Sequence, residues 1–401
     1  MGDVVLRSGR VWGRPGLEDI VVQGGRVASI GPATGAAREE SAGAEVVDLG
    51  GRLVLPGLVN AHCHLDKSLW GAPWVPNTSG TRIEQMIENG RARRAELGIP
   101  DADRITALLD RMTVLGTTHV RTHTDIDPGI GLAGVEAVLD AAQRLAGRVT
   151  VEQVAFPQSG LLGEPGTAGL MAAALRMGVG TVGGLDPAGV DGDPVAHLDL
   201  VFGLAERYGA KVDVHLHDGG SLGAWQFELI TERTKALSLH GRVAISHAFA
   251  IGEAPPSVRE RLVDLLAEAG VALHTCAGFS DPVPPVAALR AAGVPLGLGT
   301  DGIRDLWNPY GTGDMLERAM HLAYRSSFKE DADIELALEA ATLGAARALG
   351  LEAHGPAVGA VADLVVVEGA TPAQAVVEHA PRHLVVKAGR VTARGGEAVG
   401  P

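Results

Sequence analysis

His62 and His64 stand two residues apart in the segment HCH, and on an extended strand that spacing puts both imidazoles on one face. Neutral imidazole is a common ligand for zinc and iron, so the pair can reach a single ion. Other ligating or proton-transferring side chains close short apolar runs: His123 and Asp125, Gln158, Asp186, His215 and His217, His247, His274 and Asp301. Groups this polar are costly in an apolar interior unless paired or coordinated, so their shared placement argues for one site. Cys63 and Cys276 are the only cysteines, too few for a disulfide framework or a cysteine-rich zinc site. Strand alternation turns Cys63 away from its two histidine neighbours and into packing.

Eight such runs can be counted: LVNAHCH (58–64), THVRTHTDI (118–126), VTVEQVAF (149–156), GTVGGLD (180–186), KVDVHLH (211–217), RVAISH (242–247), VALHTC (271–276) and LGLGTD (296–301). Between them lie Ala-, Leu- and Arg-rich segments of helical period, such as 101–116 and 257–270, that end at glycine. Alternating strand and helix signals imply a parallel sheet, and eight units imply an α/β protein built as a closed (β/α)₈ barrel. Polar residues at strand C-termini are where such barrels build their sites. The two ends differ from this pattern. VVLRSGRVW, DIVVQGGRVASI, ADLVVVE and HLVVKAGRVTARGG are short β-branched runs punctuated by glycine. Neither end makes a covered sheet alone, so one small β-sandwich is expected from residues 1–55 and 356–401, with the barrel over 56–355.

With 48 acidic against 34 basic residues the net charge is −14, which disfavours nucleic acid and anionic membranes as partners. No apolar stretch approaches the ~20 residues of a membrane span, and the N-terminal segment lacks a secretory pattern, so a cytoplasmic location is expected. Whether the chain forms a homo-oligomer is left open.

VLPGLVNAHCHLDK, followed in order by VDVHLHD, ISHAF and GLGTDGIRDLW, resembles the amidohydrolase superfamily, and the terminal GAVADLVVV and VVKAGRV resemble its small sandwich. HVRTHTD, VAFPQSG and DGIRDLW are similar to the cytosine deaminase branch; HCHLDKS, GGLDPA, HLHD and GTGDM resemble members that remove an alkylamine from a triazine ring. The resemblance implies hydrolysis of an exocyclic C–N bond through a metal-activated hydroxide, with His62, His64, His215 and Asp301 as metal ligands. GTVGGLDPA contains no lysine to bridge two metals, so one ion is implied, zinc as first choice and iron as second. His247 would orient the hydroxide or stabilise developing charge, and Asp301 would take a proton. Gln158 and Trp307 would contact a planar N-heterocycle, the expected small-molecule partner. His217, two after His215, faces the same cavity and can donate a proton; Asp218 is the competing acid, or simply a turn residue before Gly219 and Gly220. His123 and Asp125 are expected to orient ligands, and Lys67 and Asp186 are weaker pocket candidates. His197, His240, His321, His354, His379 and His383 are read as packing or surface residues.

Gly302 stands where cytosine deaminases carry a second aspartate, and Asp218 where they carry a glutamate. Plain cytosine is therefore a poor fit, and a changed substrate is expected before a changed reaction. The alternatives are cytosine deamination proper, hydrolysis of a cyclic or linear amide, or a barrel kept as a binding scaffold.

Overall fold

The computed structural model describes residues 3–33, 43–78, 80, 82–351 and 353–400. Five strands come first: β1 (Val4–Val11), β2 (Glu18–Gln23), β3 (Arg26–Pro32), β4 (Glu45–Asp48) and β5 (Leu53–Pro56). Eight barrel strands follow: β6 (Leu58–Cys63), β7 (Thr117–Asp125), β8 (Thr150–Phe156), β9 (Thr181–Leu185), β10 (Lys211–His215), β11 (Val243–Ser246), β12 (Ala272–Thr275) and β13 (Leu296–Leu298). The chain ends with β14 (Leu364–Val367), β15 (Arg382–Lys387), β16 (Arg390–Arg394) and β17 (Glu397–Ala398). All eight expected barrel strands are present, each pairing in parallel with its sequence neighbour in the order β6 to β13.

Strand β10 shows how the sequence divides its faces. Val212 and Val214 join the large core shared with the surrounding helices, while Asp213 and His215 take the opposite, inward face. Between strands, helix Ala102–Val114 begins where the Asp101 side chain accepts from the N–H groups of Asp103 and Arg104. Helix Pro256–Ala269 stops at Gly270 in the left-handed conformation.

Closure brings β13 against β6. The Asp301 N–H donates to the His62 carbonyl at 3.0 Å, and Asn60 bonds Thr300 through both its amide groups. The approach is so close that a Cβ on Gly299 would lie 2.4 Å from the His62 carbonyl oxygen, which only glycine avoids. This contact carries Asp301 to the two histidines that end β6.

The terminal strands form the second sheet, in the order β17-β16-β15-β14-β5-β1-β2-β3, with β4 also paired to β1. One apolar cluster joins Leu6, Ile20 and Val22 to Val54, Leu364 and Val386, so residues from both ends share a core. Among the described residues, no helix is long and apolar enough to cross a membrane.

Candidate metal centre and active site

Four donor atoms meet where β6, β10 and β13 end. His64 Nε2 lies 3.3 Å from Asp301 Oδ1 and 3.5 Å from His215 Nε2, and His62 Nε2 lies 3.6 Å from the same Asp301 oxygen. Donors ~2.0–2.2 Å from a common tetrahedral ion would stand roughly 3.3–3.6 Å apart. One of these nitrogens is also orphaned in the way a metal would relieve: His62 Nε2 is buried without a hydrogen-bond partner. His247 joins the group, its ligating nitrogen within 4.8 Å of those of His62 and His215. Three imidazoles and a carboxylate thus fit a divalent ion.

Neighbouring groups dictate which nitrogen of His64 and of His62 faces inward, whereas His215 Nδ1 is buried with no hydrogen-bond partner among the described residues. His64 Nδ1 donates to the His123 carbonyl at 3.1 Å. His62 Nδ1 donates to Ser246 Oγ at 2.9 Å, and that hydroxyl donates to Asp213 Oδ1 at 2.6 Å. Register explains the relay, because Ser246 pairs with His215 across β10 and β11 and Asp213 sits two residues before His215. Asp213 is an entirely buried anion held by Arg121 at 3.0 Å and His274 at 3.2 Å. Phe156 stacks on the His215 ring at 4.1 Å.

Electrostatics keep the donors in metal-binding form. Burial first, and then the charge of Lys67, pushes His64 down to about 3. Burial likewise holds His215 and His247 well below the ordinary imidazole value, reinforced by the surrounding histidines. For Asp301 burial works in the opposite sense, but contacts to His62 and His64 outweigh it and hold the carboxyl well below its usual range. His247 and Asp301 both adopt positive φ, +67° and +60°, a strained conformation that turns their side chains over the barrel mouth.

The cleft above these donors is lined by His217, Gln158, Lys67, Trp307 and Asp305. His217 lies just beyond the end of β10, yet it faces the cleft because Asp186 grips it twice. Asp186 Oδ1 accepts from the His217 backbone N–H at 2.6 Å, and Oδ2 from Nδ1 at 2.8 Å. The His217 ring stands 4.1 Å from that of His247. Burial opposes its charge, but Asp186 prevails and raises its pKa above the ordinary value.

Asp218 is not brought into the cleft. Asp186 Oδ1 also accepts the Asp218 N–H, and the turn swings the Asp218 carboxylate outward to the Gly189 N–H at 3.0 Å and Gln226 Nε2 at 2.9 Å. It does not cap the following helix, whose first residue Gly220 donates instead to Glu253. His123 packs 4.2 Å from the His62 ring, and Asp125 pairs with Lys67 at 3.0 Å. Trp307 lines the cleft with the Lys67 ammonium 5.4 Å from its ring centre. At Gly302 the missing side chain has a physical counterpart: a Cβ there would fall 2.1 Å from Asp305 Oδ2. Asp305 is buried, and its Oδ1 accepts from the Trp307 and Asn308 N–H groups. Of the histidines expected to be ordinary, His197 is fully buried and paired with Asp191 at 2.6 Å, whereas His383 lies partly exposed near Glu368.

The sequence reading passed over Arg121, Asp213, Ser246 and Asp305. Asp213 and Arg121 carried a usable signal, since each lies two residues before an inward histidine and interrupts an apolar run with a charge.

Comparison with known proteins accords with this geometry. A model described as the amidohydrolase family matches residues 100–393. The chain is 33% identical to N-isopropylammelide isopropyl amidohydrolase of Pseudomonas sp. (strain ADP), over 97% of this chain and 96% of that one. The crystal structure of N-isopropylammelide isopropylaminohydrolase from Burkholderia multivorans superposes with a TM-score of 0.94 at 45% identity, covering all of both chains. A 5-methylcytosine deaminase from Klebsiella pneumoniae, liganded with 5-fluorocytosine, gives 0.85 at 27% identity over 100% of this chain and 98% of that one. Family match, end-to-end likeness and barrel-mouth histidines agree, and the chain belongs to the amidohydrolase family.

Proposed function

We propose that the protein is a metal-dependent aminohydrolase that displaces ammonia or a small alkylamine from a triazine-like or pyrimidine-like ring, with residues 56–355 as its catalytic domain. The observation that carries this reading is the approach of Asp301 Oδ1 to His64 and His62 Nε2 at 3.3 and 3.6 Å and of His64 Nε2 to His215 Nε2 at 3.5 Å, with the His62 Nε2 lone pair unpartnered. These four residues would hold one divalent ion, zinc first and iron second. The ion supplies Lewis acidity that makes a water nucleophilic at neutral pH.

The chain's own groups then manage protons and charge. Asp301, 3.3 Å from His64 Nε2, accepts the proton shed by the attacking water. His247 stands beside it and stabilises charge on the attacking oxygen. His217 has its Nδ1 committed to Asp186, which leaves Nε2 to deliver a proton to a ring nitrogen; the proton held by Asp301 then passes to the departing amine, and the remaining hydroxyl proton returns to His217. Water adds to the ring carbon, the C–N bond breaks, and the products are a ring carbonyl and the free amine. Gln158 and Trp307 hold the ring. The outward turn of Asp218 favours His217 as the acid.

Likeness to two enzymes named for N-isopropylammelide favours an alkylamino-triazine, and Gly302 with its neighbour Asp305 supports a substrate other than plain cytosine. The test is a panel of cytosine, isocytosine, 5-methylcytosine, ammelide and N-alkylated triazines assayed with zinc-loaded protein. Release of free amine with an intact ring is expected. A ring-opened carboxylate, or no dependence on metal, would overturn the reading.

A further inference from the structure

Cys276 takes no part in the chemistry above, yet its thiol stands among the proposed metal donors. It follows β12 directly, lines the cleft and is buried. Its Sγ, a His62 ring nitrogen and an Asp301 carboxylate oxygen all lie within 4.8 Å of one another. The backbone fixes that placement. Arg318, itself buried, donates to the Cys276 and Thr300 carbonyls at 3.0 Å each, which ties the end of β12 to the residue before Asp301. Beside this link the Gly299 N–H donates to the Thr275 carbonyl at 2.9 Å.

Two unpartnered groups meet here. Among the described residues Cys63 gives its hydrogen to the Arg121 carbonyl at 3.4 Å, but the Cys276 thiol has no hydrogen-bond partner. His62 Nε2, in a fully buried ring and 3.6 Å from Asp301 Oδ1, also lacks one. A thiolate, not a thiol, is the metal ligand. In the metal-free protein burial and the Asp301 charge push the Cys276 thiol well above its ordinary value, so it stays neutral. A bound divalent ion reverses that balance, because a coordinating thiol is deprotonated outright. Softness then decides which ions do so, since thiolate selects soft ions.

We propose that Cys276 is a latent ligand of this centre: a thiophilic divalent ion draws its thiolate in beside His62 and Asp301. The S–H proton leaves to solvent, the metal–sulfur bond forms, and the sulfur excludes the water that hydrolysis requires. The barrel mouth is thus a hydrolytic centre while the thiol keeps its proton and an inhibitory site for ions of the cadmium class. The inference rests on the metal-centre reading and names the ions that block it.

The experiment adds one equivalent of cadmium to full-length, metal-free protein. Wild type should develop an ultraviolet thiolate-to-cadmium charge-transfer band. It should also release about one proton more than Cys276→Ala, read by calorimetry in buffers of different ionisation enthalpy. Cys276→Ala retains Cys63 as its only cysteine and should lack the band. Its cadmium Kd, from chelator competition, should be weaker by at least about 10-fold, the least that even an outer partner of a ligand contributes. Cys276→Ser restores the side-chain size but not the soft donor, and should behave as Cys276→Ala does. No band in cadmium-saturated wild type, a band that persists in Cys276→Ala, or a cadmium affinity restored by Cys276→Ser overturns the inference.

If the wild type takes up neither zinc nor cadmium, the metal-centre reading has failed and the inference falls with it. Stoichiometric zinc uptake without a cadmium–sulfur band refutes the inference alone.

Discussion

Replacing Ser246 by alanine tests how the proposed metal site holds His62. Ser246 is fully buried, its hydroxyl donating to Asp213 at 2.6 Å and accepting from His62 Nδ1 at 2.9 Å. Those two bonds keep the imidazole proton on Nδ1 and leave the Nε2 lone pair facing the other donors. Ser246→Ala removes both, where no solvent can substitute. A hydrogen bond to a charged partner contributes about 1.5–3 kcal/mol and a neutral one about 1, so the metal-free protein should lose roughly 2–4 kcal/mol. Partners that orient a ligating imidazole change metal affinity by about 10–100-fold, or about 1.4–2.7 kcal/mol. Chelator competition gives the metal Kd, and denaturant unfolding of metal-free protein gives stability independently. Ser246→Thr keeps the hydroxyl and should recover most of the affinity. A Ser246→Ala protein that loses stability but binds zinc within about three-fold of wild type would refute the reasoning, because a 10-fold effect is the least this orientation predicts.

Further consequences can be checked individually. Exhaustive chelation should abolish amine release and lower Tm, and one equivalent of zinc or iron should restore both, since an ion that binds only the folded state stabilises it. His217→Asn should lower kcat by about 10²–10⁴-fold while leaving the affinity for a ring inhibitor nearly unchanged, because the acid acts in the transition state. A kcat within ten-fold of wild type would remove His217 from that role. Gly302→Ala must displace the Asp305 carboxylate 2.1 Å away, at a cost of about 1–3 kcal/mol in stability. Asp305→Ala removes the obstruction, so the double variant should be less damaged than the two single effects sum to, measured in a double-mutant cycle. For Asp127, burial raises the pKa, but the two Arg94 hydrogen bonds and the Gly129 and Ile130 N–H groups hold it below the ordinary carboxylate value. Its contribution is therefore complete above pH ~4 and lost as pH falls through the depressed value. Arg94→Met should consequently narrow its stability gap from wild type at lower pH, read from denaturation curves.

The barrel was legible because its strands alternate so plainly: valine to the helices, histidine or carboxylate to the interior, as at Val212 to His215. Strand ends were less so. The eighth expected strand reached Asp301, but β13 ends at Leu298, and the chain then turns through a non-glycine residue at positive φ. Nothing in the local sequence marks such a residue, because closure against β6 imposes the conformation. Asp218 illustrates the same limit. Its place next to His217 made both candidates for one role, but Asp186, distant in sequence, takes both N–H groups and turns the two side chains to opposite sides. Conversely, Gly302 was read as a missing carboxylate, although Asp305, three residues on, fills the space beside it.

The division between barrel strands and loops bears on how substrate and reaction can vary separately. Asp213, His215 and Ser246 sit on strands paired on both sides, and Asp213 is buried against Arg121 and His274. Removing one partner of such a buried pair costs about 3–5 kcal/mol, so this layer resists piecemeal change. Lys67, Gln158 and Trp307 instead follow the ends of β6, β8 and β13, in segments whose backbone is not held by ladder pairing. Changes there can redirect which ring edge is accepted without moving the four proposed metal donors. On that argument, relatives of this barrel that act on different heterocycles should differ first at the positions of Lys67, Gln158, Gly302 and Asp305, and hold Asp213 and Ser246 unchanged.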